Sequence, residues 1–295
     1  MKFIIAIDIG GSTFRVGLFS ESLDQIDISK QDKIRYYNDR EQLTDAVLLQ
    51  ISKLINNNRI NKSDVLGLGI ASPGPLDTDE GMILNTPNLT IFKNFHISKY
   101  FKKKSGYDVI IENDANLFSL GEWYSHYQEF NVVVGVTIGT GLGFGLIING
   151  HLFKGANGFA MEYGLSPFEW GECEKNVCIK YIKDKSKELY GEEIKPIILE
   201  EYYKSNDKKA IKIYDDFGSN LGIVLSHVIN MLDPNVISLG GGLSKAFDCF
   251  KQSMFKSIKK NVPAFSHSNI IIKQSKFGEK SSMLGASIIV KQNSS

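Results

Sequence analysis

The sequence predicts an α/β protein made of two related halves. Three glycine-marked segments carry that expectation. The first, Ile4 to Phe19, reads as strand, tight turn, strand, with Gly10, Gly11, Ser12 and Thr13 in the turn and Asp8 near the end of the first strand. The second, Val132 to Ile148, repeats the plan with Gly139, Thr140 and Gly141 in its turn. In the third, Gly240, Gly241 and Gly242 follow the apolar strand Val236-Ile237-Ser238-Leu239 and precede a helical stretch. A length of 295 residues suggests about two domains, and a hydrophobic fraction of 42% gives material for two cores.

The elements follow in order. Strands are expected over 3–7 and 14–19, then an amphipathic helix over 39–57, where Leu43, Val47, Leu48, Ile51, Leu54 and Ile55 recur near helical spacing. Residues 66–70 read as a strand stopped by Ser72-Pro73-Gly74-Pro75, and 108–111 as another that ends at Glu112. Asn113 has N-cap chemistry and opens a helix with Leu117, Leu120 and Tyr124 on one side. The stretch 155–178 is irregular. Helices are expected over roughly 192–205, 207–232 and 244–260, a strand at 270–272 and a final helix over 280–291.

A net charge of +1 with 23% charged residues gives no electrostatic case for nucleic acid or a membrane surface as partner. Lys102-Lys103-Lys104 reads as a solvated helix end. Cys173, Cys178 and Cys249 form no disulfide framework and fit a reducing compartment. No leader and no apolar run of membrane-spanning length are legible, so a cytoplasmic location is expected.

Glycine-rich hairpin turns can bring backbone N–H groups close to an anion. Ser12 and Thr13 add hydroxyl donors, and Asp8 suits a hydrated magnesium ion, which takes oxygen ligands and bridges phosphates. Alone, that first segment also fits an ordinary glycine-bent hairpin. Asp114, at a strand end and helix start, is a candidate proton acceptor, and the helix N-terminus is expected to favour its ionised form. The plain alternative is a first-turn helix acid.

Together with the string Glu112-Asn113-Asp114-Ala115-Asn116, the three glycine segments resemble the ROK group of sugar kinases, within the actin/hexokinase/Hsp70-like ATPase superfamily. The resemblance runs from Asp8 to about Leu284-Gly285-Ala286. It implies a two-lobed actin-like ATPase (ribonuclease H-like) fold with its active site in the cleft. A smaller lobe, 1–113, would be joined by the C-terminal helix of 272–295, and 114–271 would form the larger lobe. It implies ATP and Mg2+, with Asp114 as general base for a sugar hydroxyl, normally O6, attacking the γ-phosphorus. Asn113, Gly74 in the 71–75 loop, Asn88 in the 85–89 loop and Glu162 would contact the sugar. Asp8, Gly10, Gly11, Ser12, Thr13, Arg15, Gly139, Thr140, Gly141, Gly240, Gly241 and Gly242 would meet the nucleotide, with Asp8 holding Mg2+ through water. A homodimer is also implied.

The chain departs from the family in one region. Most members follow the sugar-binding glutamate with Gly-His and then Cys-x-Cys-Gly-x-x-Gly-Cys-x-Glu, where the histidine and cysteines hold structural zinc. Here the histidine position is Leu165, the first cysteine position is Gly171, and Cys173 and Cys178 keep the spacing of the last two cysteines. Tetrahedral zinc needs four such ligands, so zinc is not expected, and packing of Pro167, Phe168 and Trp170 is expected to hold the loop. The family's final glutamate is Lys180. These changes disfavour plain glucose, and an apolar Leu165 suits an acetyl methyl. N-acetylmannosamine is therefore the expected substrate, in amino-sugar or sialic acid catabolism, with glucose as the alternative. Thr13 stands where the family often has lysine, which leaves charge neutralisation to Mg2+ and Arg15. Sugar-sensing repressors of the group carry an N-terminal helix-turn-helix, for which a hairpin beginning at Phe3 is expected to leave no room.

Overall fold

The computed structural model describes residues 1–294 except Pro87, Asn88, Trp170 and Glu279. The chain divides into two compact units. The first comprises Met1–Tyr124, Gly155–Gly158 and Glu279–Ser295. Its hairpin of β1 (Phe3–Ile9) and β2 (Thr13–Ser20) is extended on the β2 side by β3 (Gln25–Ile28) and the short β4 (Asp32–Lys33). After helix α1 (Arg40–Asn57), β5 (Val65–Ser72) lies parallel to β1. A small hairpin of β6 (Leu76–Asp77) and β7 (Met82–Ile83) and helix α2 (Ile97–Ser105) lead to β8 (Val109–Asn113), parallel to β5. The sheet order is β3-β2-β1-β5-β8. Helix α3 (Asp114–His126) follows β8 without a linker.

Helix α1 forms where the apolar spacing predicts it. The Asp39 side chain accepts the Gln42 N–H at 2.8 Å and caps the first turn. Leu43, Val47, Ile51, Leu54 and Ile55 are buried in one cluster with Ile5, Ile7, Val16 and Leu18 of the sheet. Helix α2 closes on Gly106 at φ 81, the left-handed cap that glycine favours, with Lys102, Lys103 and Lys104 in its last turn.

The last helix, α9 (Lys280–Asn293), packs in the first unit at backbone contact with α3. A Cβ on Gly121 would lie 2.0 Å from the Ser281 carbonyl oxygen, and one on Gly285 would lie 2.0 Å from that of Leu117. Only glycine permits such a crossing. The Ser281 hydroxyl donates to the buried Glu122 carboxylate across it.

The second unit comprises Ser125–Lys154 and Phe159–Gly278. Here β9 (Val132–Ile138), β10 (Leu142–Ile148) and β11 (His151–Leu152) run antiparallel in succession. The hairpin of β12 (Pro167–Phe168) and β13 (Gly171–Glu172) comes next. Helices α4 (Cys173–Asn176), α5 (Ile179–Tyr190), α6 (Pro196–Lys204) and α7 (Lys208–Leu232) follow. Strand β14 (Val236–Gly240) is parallel to β9, and after α8 (Phe247–Asn261), β15 (Ile271–Gln274) is parallel to β14. The order β11-β10-β9-β14-β15 repeats that of the first sheet strand for strand, as two related halves require. Phe217, Leu221, Val224 and Val228 of α7 share its core with Val134, Val136, Ile237 and Leu239.

The helix expected over 192–205 is α6, which begins only at Pro196, and α5 before it is a helix that the sequence reading does not place. Helix α5 stops at Gly191, φ 86, and α6 restarts with Pro196 in its first turn. A proline at the first helical position and a left-handed glycine cap separate them. No described helix is long and apolar enough to cross a membrane.

Because the α3–α9 crossing admits no Cβ, Gly121→Ala should lower stability by about 1–3 kcal/mol. The check is the melting temperature, and an unchanged value would contradict the backbone contact.

Candidate functional site

In the first unit the parallel strands end side by side. Asp8 pairs in register with Ala71, Ala71 with Glu112, and Ser72 with Asn113. Open α/β sheets bind ligands outside such carboxyl ends. The turn after β1, the Ser72–Pro75 loop after β5 and Asp114 after β8 all issue from that edge.

Asp8 is half-buried and sits directly opposite Arg15 in the β1–β2 ladder, so the two charges share a face. The Gly10 N–H closes the turn onto the Thr13 carbonyl at 2.9 Å, leaving Gly11 and Ser12 exposed. The Thr13 hydroxyl accepts from Gln31 Nε2 at 3.0 Å, and the Ile34 N–H donates to the Ser12 carbonyl at 2.9 Å, so residues after β3 brace the turn. Gln31 carries no motif, and the sequence offers no signal for this role. Asp8 offers the carboxylate oxygens that a hard cation takes, one residue short of the end of β1 and close in sequence to the Gly10–Thr13 turn. Gly74 is half-buried in a loop held by the Leu84 N–H on the Pro75 carbonyl at 3.1 Å. Asn88 lies outside the described residues.

Asp114 is the first residue of α3, and its neighbours fix it there. Asn113 Oδ1 accepts the N–H groups of Ala115 at 2.9 Å and Asn116 at 3.3 Å, the bonding of an N-cap. Among the described residues the Asn113 amide nitrogen makes no hydrogen bond. Buried Glu112 accepts the Asn113 N–H at 2.9 Å and Asn116 Nδ2 at 3.0 Å through one oxygen. Burial pushes the Asp114 carboxyl above its ordinary range, opposed by backbone N–H groups of Ala115 and of Asp114 itself. The sequence expectation that the helix terminus sets this ionisation is thereby corrected: desolvation outweighs it.

In the second unit the Gly139 N–H bonds the Gly141 carbonyl at 2.9 Å, and Thr140 is exposed at the tip. Gly240 pairs in register with Thr137. Gly241, at φ +80, passes so close to β9 that a Cβ would lie 2.4 Å from the Ile138 carbonyl oxygen. The Gly139–Gly141 and Gly240–Gly242 turns are thus neighbours at one sheet edge. Thr137 holds in β9 the place that Asp8 holds in β1.

Glu162–Leu165 forms a 3-10 turn with Glu162 exposed, Leu165 59% exposed and Gly164 buried. The Tyr163 hydroxyl hydrogen-bonds His227 Nδ1, and its ring meets Phe144 edge-on. Among the described residues, no group of three or more His, Cys, Asp and Glu is placed to hold a metal. Cys173 and Cys178 are buried thiols whose pKa burial raises. Backbone pairing holds this loop: β12 with β13, and the Cys173 N–H on the Ser166 carbonyl at 2.9 Å. Phe168 packs on the core as expected, but Pro167 is exposed and Trp170 lies outside the described residues. Exposed Lys180 pairs with Asp184 at 2.6 Å.

The unfolded chain loses the Asp114 proton near 3.8, whereas the folded chain holds it to higher pH, so this group withdraws stability as pH rises between the two values. Asp114→Asn should therefore melt above the parent at pH 8, with the gap closing as the pH falls toward 3.8. A variant less stable than the parent at pH 8 would contradict the desolvated carboxylate.

A family model described as "ROK family" matches residues 4–293. The chain is 31% identical to an N-acetyl-D-glucosamine kinase of Photobacterium profundum, over 96% of this chain and 97% of that one. It is 25% identical to a glucokinase of Halalkalibacterium halodurans, over 99% and 96%. A ROK family glucokinase from Streptomyces griseus, solved with glucose and AMPPNP, superposes with a TM-score of 0.83 at 22% identity, over 98% and 99%. That likeness establishes the actin-like ATPase fold. With its family pattern running almost from end to end, the chain belongs to the ROK family.

Proposed function

We propose that this ATP-dependent sugar kinase phosphorylates an N-acetylated hexosamine at O6, with N-acetylmannosamine as the first acceptor. The observation behind this reading is Leu165. It stands where the family has histidine, shares a turn with Glu162, and is 59% exposed, so its side chain can cover an acetyl methyl. Burying one such carbon is worth about 0.8 kcal/mol. The relative named N-acetyl-D-glucosamine kinase favours a second reading, N-acetylglucosamine, the C2 epimer.

In this reading Asp114 takes the O6 proton as that oxygen attacks the γ-phosphorus in line; the P–O bond to ADP breaks and its electrons leave with ADP. The cap at Asn113 holds the base still, and its free amide nitrogen donates to a neighbouring hydroxyl. Gly74 lets the ring approach backbone. Glu162 grips two hydroxyls, which penalises analogues lacking one of them. The turns at Gly10–Thr13 and Gly139–Gly141 turn backbone N–H groups and the Thr140 hydroxyl toward phosphates, and Gly240–Gly242 leave room for adenosine. Mg2+, when bound, neutralises phosphate charge; Asp8 would hold it through water, with Arg15 sharing the neutralisation.

Asp114→Asn should lower kcat by about 10²–10⁴-fold while sugar affinity changes little. In the parent, kcat/KM should rise with pH through a midpoint above 3.8, and the variant should lose that limb. Unchanged kcat would remove Asp114 from the chemistry. A coupled ADP-release assay over N-acetylmannosamine, N-acetylglucosamine, glucose, mannose and fructose should show the N-acetyl sugars ahead. Glucose turned over faster than both would overturn the role given to Leu165.

A further inference from the structure

Leu142, the first residue of β10, follows the Gly139–Gly141 turn, and its peptide is gripped on both sides. Its N–H donates to Glu174 Oε2 at 3.0 Å. Its carbonyl oxygen lies against Gly164, where a Cβ would come within 2.1 Å. The same Glu174 oxygen lies against Gly141, where a Cβ would stand 2.3 Å away. At the other end of the turn, the Ile179 N–H donates to the Gly139 carbonyl at 2.9 Å.

Glu174 in turn belongs to the segment that carries Glu162 and Leu165. It sits in α4, whose first residue, Cys173, donates its N–H to the Ser166 carbonyl at 2.9 Å. The Ser166 N–H donates to the Tyr163 carbonyl at 3.0 Å. A continuous chain of bonds and close contacts therefore joins the Glu162–Leu165 turn to the Gly139–Gly141 turn. The side chain at its centre is absent from the family pattern, in which glycine follows the cysteine corresponding to Cys173. In this chain a carboxylate fills that place, in the same region where Leu165 and Gly171 replace two of the family's zinc ligands.

We propose that Glu174 is a positioning residue that fixes the Gly139–Gly141 turn to the segment bearing Glu162 and Leu165, and so couples sugar binding to nucleotide binding. The coupling rests on the kinase reading for what each segment binds; the brace does not. An acceptor oxygen is what the Leu142 N–H needs, so a neutral amide should serve where an alkyl group cannot. A carboxylate held this close to a phosphate-facing turn also adds local repulsion, which the amide removes.

The test compares the parent, Glu174→Gln and Glu174→Ala. Without any ligand, the Leu142 amide should exchange about 5-fold faster in Glu174→Ala, the loss of one net hydrogen bond, and within about 2-fold of the parent in Glu174→Gln. Calorimetry then measures affinity for AMPPNP with and without N-acetylmannosamine or N-acetylglucosamine, whichever turns over faster. In the parent each ligand should tighten the other by the same factor. Glu174→Ala should reduce that factor toward one and raise KM for ATP, and Glu174→Gln should restore both. Unchanged exchange in Glu174→Ala would overturn the brace. Coupling that survives in a destabilised Glu174→Ala, or is absent from the parent, would overturn the positioning role. A parent that turns over no sugar overturns the kinase reading instead, and the exchange measurement still decides the brace.

Discussion

The hydrogen-bonded junction between β8 and α3 is the constraint on which the candidate site at the sheet edge of the first unit depends. A carboxylate at Asp114 loses water there, and its folded form holds the proton more tightly than the unfolded chain does. Such a residue persists only where its surroundings leave the backbone no alternative. Here Asn113 closes the first turn of α3, and Glu112 ties both Asn113 and Asn116 to the strand end. Further along, Gly121 brings α3 into backbone contact with α9. The helix is fixed at its first turn and again along its length at Leu117 and Gly121, and the position of its first side chain follows.

The repeated strand order explains why the glycines fall where they do. In each unit a hairpin is followed across the sheet by a parallel strand, so a tight turn and a second loop emerge at the same edge. In the first unit the strand-end position holds Asp8, and in the second it holds Thr137. The plan is shared and the chemistry has diverged: a carboxylate suited to a cation on one side, a hydroxyl beside bare glycine turns on the other. The second unit has diverged further in its loop, where β12–β13 pairing and the Glu174 carboxylate stand in the region of the family's metal-bound loop.

Much of this was legible in the residue pattern. The α1 spacing, the Asn113 cap, the two hairpins and the strand before Gly240 all recur at their expected positions, because local periodicity and cap chemistry decide them. Helix α5 was not read, since its buried side is carried by little more than Ile182 and Ser186 among lysines. Strand β3 was missed because its four residues are too few for the alternation of Ile26 and Ile28 to decide a strand. The site divided along the same line. Motif residues such as Asp114 could be named in advance, but the direction of its pKa shift depends on burial, which spacing does not reveal. Nor could Gln31 or Glu174 be found, because their roles come from contacts between segments far apart in the chain.

Asp114 as the acceptor of the sugar proton is the central claim, and a crystal structure of the chain with its acceptor sugar tests it most directly. The O6 hydroxyl should lie about 2.6–3.2 Å from the Asp114 carboxylate, or reach it through one water. A sugar bound with O6 turned away from Asp114 and beyond that reach would contradict the role of this carboxylate.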